Sequence, residues 1–175
     1  LEELLRRRPP PDEAWVEVQA AVGDLDRAIG VFNALLRLAE IDSGARLSGF
    51  REVRLDIVAN DVAELYGPVA EAKGSDVILA APEAIAVRGD PDLLAQAIGN
   101  LVDNAVKFTP PGGKVMLSLT RGLADAVEIR VADTGPGIPD SEKGDVVRRF
   151  YRGDAGKGEA GVGLGLSVVA AIARL

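Results

Sequence analysis

The sequence contains no cysteine and no histidine. Without cysteine there are no disulfides, no zinc–thiolate centres and no thiol nucleophile. Without histidine there is no imidazole to act as base, metal ligand or phosphoacceptor. Any chemistry in this chain therefore falls to carboxylates, amides, lysine, arginine, hydroxyls and the backbone. Basic residues are also in deficit: 20 Lys and Arg against 27 Asp and Glu give a net charge of −7. That balance argues against a general nucleic-acid binder, whose affinity comes from neutralising phosphates. No apolar run approaches the roughly 18–20 residues needed to cross a bilayer. The first residues, Leu1 to Arg6, have neither the apolar core nor the small-residue cleavage site of a secretory signal. No methionine starts the chain, so it reads as a piece of a longer protein.

What is present is enough for a real core: 47% of the 175 residues are apolar, which suits a globular domain with an appendage. Leu1 to Arg8 reads as the end of a helix that Pro9-Pro10-Pro11 stops. Pro11 or Asp12 then starts another. Trp15, Val18, Val22, Leu25, Ile29, Phe32, Leu36 and Ala39 follow at alternating spacings of 3 and 4, a heptad seam. Two readings stay open: a helix packed on its own domain, or one arm of a helical hairpin that dimerises into a bundle. Ser43-Gly44 is expected to end this helix.

Beyond residue 45 the pattern changes. A short strand over Val53 to Leu55 precedes a helix from Asp56 to Lys73, which Gly67-Pro68 could kink and Gly74 closes. Asp76 to Ala80 and Ile85 to Arg88 read as a strand pair around Pro82. Asp90 and Pro91 open a helix that ends near Phe108. Lys114 to Thr120 and Ala126 to Ala132 alternate as strands. Residues 134–160 read as a long loop, and 161–175 as a glycine-rich turn entering a buried helix. These elements predict an α/β two-layer sandwich, a mixed sheet with helices on one face.

Common nucleotide motifs fail. Gly113-Lys114 and Gly156-Lys157 lack the rest of a P-loop, and 161–165 has the wrong spacing for a Rossmann turn. Three other features stand out. Asn100, Asn104 and Lys107 lie at i, i+4 and i+7, on one helical face. A carboxamide oxygen suits magnesium, which takes few protein ligands and shares substrate phosphates, and a lysine supplies a point charge for phosphate. Asp133-Thr134-Gly135-Pro136-Gly137-Ile138-Pro139 follows a strand. An aspartate there can accept a hydrogen bond from an exocyclic amine, while glycines admit a base closely. Phe150-Tyr151-Arg152 and then Gly161-Val162-Gly163-Leu164-Gly165-Leu166 precede the last helix. Amides at a helix start favour phosphate oxygens, and Arg152 could pair with a terminal phosphate.

Taken in order, Asn-x3-Asn-Ala-x-Lys-Phe-Thr, Asp-Thr-Gly-x-Gly-Ile-Pro, Arg-Phe-Tyr-Arg and Gly-x-Gly-Leu-Gly-Leu resemble the ATP-binding domain of sensor histidine kinases, within the wider family of gyrase, mismatch-repair and chaperone ATPases. The resemblance covers residues 46–175 and implies ATP and Mg2+ as ligands. It implies Asn104 as the magnesium ligand, with Asn100 and Lys107 at the phosphates. Phe108 would lie against adenine and Asp133 would accept from its amine. Gly135, Gly137 and Ile138 would shape the base pocket. Phe150 and Arg152 would belong to a lid, and Gly161, Val162, Gly163, Leu164, Gly165 and Leu166 to the phosphate-side turn. Asn100, Lys107 and Arg152 are the residues expected to act in catalysis.

Residues 1–45 then resemble the C-terminal part of the hairpin that dimerises and carries the phosphoacceptor histidine, which would lie upstream of Leu1. The resemblance further implies a homodimer, a response-regulator receiver domain as partner, and a cytoplasmic position in an inner-membrane sensor. The segment itself is expected to be neither membrane-embedded nor bound to nucleic acid. A last sheet strand usual in the family is expected to be missing after Leu175. An ATP-gated conformational ATPase is the other reading. Those relatives place a water-activating glutamate one turn before the magnesium asparagine, where this chain has Asn100.

Overall fold

A computed structural model describes residues 11–42, 49–81, 83–122, 126–153, 156 and 161–175. The expected helix end at Leu1 to Arg8 and the stop at Ser43-Gly44 lie outside these residues.

Helix α1, Pro11–Asp42, runs unbroken for 32 residues, about 48 Å at 1.5 Å per residue. The heptad seam does not pack on the domain. Trp15 and Phe32 are 65% and 63% exposed, and Val22, Leu25 and Ile29 are exposed with them. The helix meets the domain through Val31, Ala34, Leu38 and Ile41. At 3.6 residues per turn Val31, Leu38 and Ile41 lie away from the seam, with Ala34 on its flank. The helix is therefore two-faced: one face is docked and the other is bare.

The domain opens with strand β1, Arg51–Arg54, and helix α2, Leu55–Ala72. Pro68 lies inside α2 without ending it. The stop is Gly74, with φ +75°. The Gly74 N–H donates to the Glu71 carbonyl and the Ser75 N–H to the Ala70 carbonyl, both at 2.9 Å, the glycine-based close that relieves the last orphan carbonyls. Strands β2, Asp76–Ala80, and β3, Ala86–Gly89, precede helix α3, Pro91–Phe108. Asp90 caps α3: its Oδ1 accepts from the N–H groups of Asp92 at 2.9 Å and Leu93 at 3.2 Å, with Pro91 at the position where a missing donor costs nothing. Strands β4, Lys114–Arg121, and β5, Val127–Asp133, lead to a run of turns and then to helix α4, Gly165–Ile172.

The expected pairing of residues 76–80 with 85–88 is incorrect. β2 pairs in parallel with β4, while β3 pairs antiparallel with β1. The reason lies in α2: the Leu55 N–H donates to the Ile85 carbonyl at 2.8 Å, and Asp56 Oδ1 accepts from the Ile85 N–H at 3.2 Å. That anchor draws the chain after Pro82 toward β1. The sheet order is β2-β4-β5 beside a separate β1-β3 pair. The sheet is mixed, as expected, because β5 runs antiparallel to β4.

Two apolar clusters result. Leu55, Ala59 and Val62 of α2, Ile98, Val102, Ala105 and Val106 of α3, and Val115, Leu117 and Leu119 of β4 form the core between helices and sheet. Leu38 and Ile41 of α1, Leu93 and Ala97 of α3, and Leu164, Val168, Ala171 and Ile172 form the second. Helix α3 has a side in each cluster, so its remaining polar stripe has a fixed direction.

Candidate nucleotide-binding site

That stripe is Gln96, Asn100, Asn104 and Lys107, and it faces the start of α4. The Asn100 Nδ2 amide donates to the Gly165 carbonyl at 3.3 Å. A Cβ placed on Gly165 would sit 3.7 Å from Asn104 Nδ2 and 3.8 Å from Asn100 Cγ. A Cβ on Gly161, whose φ is +148°, would lie 3.0 Å from Lys107 Nζ. Two asparagines and a lysine separated by some 60 residues of chain from the glycine turn are thus brought against it. Lys107 Nζ also stands 5.2 Å from the Phe108 ring centroid, within cation–π range.

The turn after β5 closes on the end of the same helix. Asp133 Oδ1 accepts from the Gly135 N–H at 2.8 Å. Thr134 extends the β4–β5 ladder: its N–H donates to the Lys114 carbonyl at 3.1 Å and its Oγ1 accepts from the Lys114 N–H at 2.9 Å. A Cβ on Gly135 would come within 2.8 Å of the Phe108 carbonyl oxygen, so glycine is required for this approach. Gly137 has φ +74°, and Ile138 next to it is exposed.

Phe150, Tyr151 and Arg152 join from the other side. The Phe150 N–H donates to the Gly163 carbonyl at 2.9 Å. Phe150 has φ +64° and is the sole non-glycine residue with positive φ among the described residues. Gly163, with φ +75°, lies against the Tyr151 carbonyl oxygen so closely that a Cβ would overlap it. The Arg152 guanidinium donates to the Gly156 carbonyl, and the Gly156 backbone passes beside the Phe108 ring. Two residues of the glycine turn are oriented otherwise than a ligand contact needs: the Leu164 side chain is buried in the second apolar cluster, with Val162 packed against it. What these two can offer a ligand is backbone.

Two features escaped the sequence reading. Gln96 Oε1 is buried with no hydrogen-bond partner; its place one turn before Asn100 was visible, its burial was not. The Phe150–Gly163 clip had no sequence signal, since nothing about a phenylalanine announces positive φ.

Together the fold and site define an α/β sandwich in which a glycine turn leading into a helix is set against an asparagine- and lysine-bearing helix. Residues 89–175 match the family described as histidine kinase-, DNA gyrase B- and HSP90-like ATPases. The chain is 36% identical to the sensor protein CreC of Escherichia coli (strain K12), over 99% of this chain and 36% of that protein. It overlays a solved mycobacterial sensor histidine kinase MprB with TM-score 0.66 at 30% identity, covering 71% of this chain and 80% of that one. It also overlays full-length ShkA in complex with AMPPNP, with TM-score 0.79 at 29% identity, over 93% of this chain and 34% of that one. The chain belongs to this ATPase family and carries the ATP-binding catalytic domain of a histidine kinase. It spans about a third of the length of the curated relatives it matches.

Family membership implies ATP and Mg2+ as ligands, and the donor set fits them. Among the described residues no three acidic side chains gather to hold a metal. A magnesium ion here would therefore arrive largely dressed by phosphate and water, with a carboxamide to receive it. The glycine turn, bare of side chains where Lys107, Asn104 and Asn100 approach, leaves backbone and cation facing the same space.

Proposed function

We propose that this segment binds Mg–ATP and presents its γ-phosphoryl group to a histidine on a helical hairpin of which α1 is one arm. The observation that carries this is the convergence of Lys107, Asn104 and Asn100 on the Gly161–Gly165 turn. Magnesium, when bound, would offset the charge of the phosphates. Asn104 would hold it through the carboxamide oxygen. Asn100, tied to Gly165, keeps the turn at the phosphates. Lys107 places its charge on them. Backbone amides of residues 161–166 complete the cradle. Asp133 accepts from the adenine amine, in a pocket shaped by Gly135, Gly137 and Ile138 with Phe108 against the ring. Phe150 and Arg152 act from the lid, Arg152 by moving its guanidinium from the Gly156 carbonyl to the terminal phosphate.

In the transfer, the bond between the γ-phosphorus and the β,γ-bridging oxygen breaks, a phosphorus–nitrogen bond to the imidazole forms, and ADP keeps the bridging oxygen. The protein contributes position and charge neutralisation. The phosphoryl group then passes to an aspartate in the receiver domain of a response regulator. The bare seam of α1 pairs with the rest of the hairpin and with a second copy. The residue divisions follow: 1–45 hairpin and 46–175 catalytic domain, the cytoplasmic part of an inner-membrane sensor. An ATP-gated ATPase would need a base where Asn100 stands, and a carboxamide bonded to Gly165 is not one.

The test is transfer of label from γ-labelled ATP. The segment alone should stay unlabelled, and an added hairpin carrying the upstream histidine should become labelled. Stable label on the isolated segment would contradict the assigned roles.

A further inference from the structure

The β4–β5 ladder ends in a rung that is only half backbone. Asp133 is the last residue of β5 and lies opposite Val115. The next pair is Thr134 and Lys114. In a continued antiparallel ladder each of these two would give its N–H to the other's carbonyl. One half of that exchange is present: the Thr134 N–H donates to the Lys114 carbonyl at 3.1 Å. In the other half the Lys114 N–H donates to the Thr134 side chain, Oγ1 accepting at 2.9 Å. The hydroxyl stands in for the Thr134 carbonyl, and the backbone is released to turn off the sheet at this residue. It turns over the end of α3. Gly135 lies against the Phe108 carbonyl oxygen, and its N–H donates to Asp133 Oδ1 at 2.8 Å. Gly113 makes room for the hydroxyl: a Cβ there would lie 2.6 Å from Thr134 Oγ1 and would overlap the Thr109 methyl group. Thr109 is itself fixed on α3, its Oγ1 donating to the Ala105 carbonyl at 2.6 Å.

We propose that Thr134 is a positioning residue that sets which base the site accepts: its hydroxyl, by closing the ladder, aims Asp133 at the exocyclic amine of a 6-aminopurine. This deepens the adenine-pocket reading given above and rests on it. Asp133 engages Oδ1 in its own turn, so a base meets Oδ2, whose direction follows from where the chain leaves β4. Without the hydroxyl, two arrangements replace the present one. Either the Lys114 N–H passes to the carbonyl of residue 134 and the ladder gains a rung, or that N–H goes to water and the turn is held at Gly135 alone. The first rotates the Asp133 carboxylate and the second frees it. A carboxylate only accepts hydrogen bonds, so it binds a purine with an amine at C6 and opposes one with a carbonyl oxygen there. The cost of a misplaced Asp133 therefore falls on base selectivity, while α3 and the glycine turn still serve phosphate and metal.

Isothermal titration with ADP and with inosine diphosphate, both in the presence of Mg2+, reads this selectivity. The parent should prefer ADP by about thirtyfold, as for a hydrogen bond to a charged group. Thr134→Val and Thr134→Ala remove the hydroxyl with and without a strand-favouring side chain. Each should cut the preference about tenfold, mainly by weakening ADP. Thr134→Ser retains a hydroxyl and should keep the parent preference. Asp90→Ala weakens the fold away from this turn and should also keep it, so lost stability alone does not move the readout. In the nucleotide-free protein, the Gly135 amide resonance should shift in Thr134→Val and Thr134→Ala and stay in place in Thr134→Ser. A parent that binds the two nucleotides equally contradicts the adenine pocket, and the proposal with it. A parent that discriminates, with the preference intact in Thr134→Val and Thr134→Ala or lost equally in Thr134→Ser, overturns the proposal alone.

Discussion

Phe150 and Gly163 are joined backbone to backbone, the Phe150 N–H donating to the Gly163 carbonyl at 2.9 Å, and both have positive φ. A left-handed phenylalanine costs about 1 kcal/mol, so the clip holds Phe150 against a local preference to relax. It also ties the segment around Phe150 to the turn that faces Lys107 and Asn104.

Gly163→Ala tests that link. The added Cβ meets the Tyr151 carbonyl oxygen and sits on a backbone that side chains disfavour. The turn must shift, and ADP affinity should fall about tenfold or more, while the far-ultraviolet dichroism stays that of the parent. Parent-like affinity would show that the turn does not touch the nucleotide.

Asn104→Ala should remove the magnesium-dependent part of nucleotide affinity and leave the rest. Titrations of parent and variant with ADP, each with Mg2+ and with chelator, make the comparison. The two variant curves should coincide, and a persistent magnesium effect would reassign the ligand.

Acid should weaken the fold through Asp56. The Arg54 guanidinium donates to its carboxylate at 2.9 and 2.6 Å, and with the Ile85 N–H holds its pKa at about 2. An unfolded aspartate titrates near about 3.9. The folded pKa is the lower one, so the stabilisation is present above about pH 4 and disappears as pH falls toward about 2. Asp56→Asn should flatten the stability profile across that window, followed by urea unfolding at each pH.

Asp90→Ala removes the carboxylate that caps α3 and should destabilise the domain by about 1 kcal/mol, with Asp90→Ser recovering most of it. Denaturant midpoints measure both. Because α3 carries the polar stripe, a larger loss of ADP affinity than of stability would show that the cap also sets the stripe's position.

Much of the site was legible because its signals are local. The i, i+4, i+7 spacing of Asn100, Asn104 and Lys107 survives any packing of α3, and Asp133 closes a turn with its own neighbour Gly135. Helix limits at Asp90 and Gly74 were likewise written in capping chemistry. Strand pairing was not legible. Residues 76–80 and 85–88 are close in sequence, yet their partners are chosen by Ile85's bonds to the first turn of α2, a tertiary fact. The seam on α1 was visible, while its docking face was not: Ala34 and Leu38 carry no period that separates them from a seam flank. Arg37 reads as polar surface in sequence and has a buried nitrogen in the fold.

The central claim is that the α3 stripe, the Asp133 turn and the glycine turn form one Mg–nucleotide site. Isothermal titration of the chain with ADP in the presence of Mg2+ tests it most directly. One site per chain with a dissociation constant on the order of micromolar, weakened by chelation of the metal, is the predicted result. No heat of binding from folded protein at millimolar ADP would contradict it.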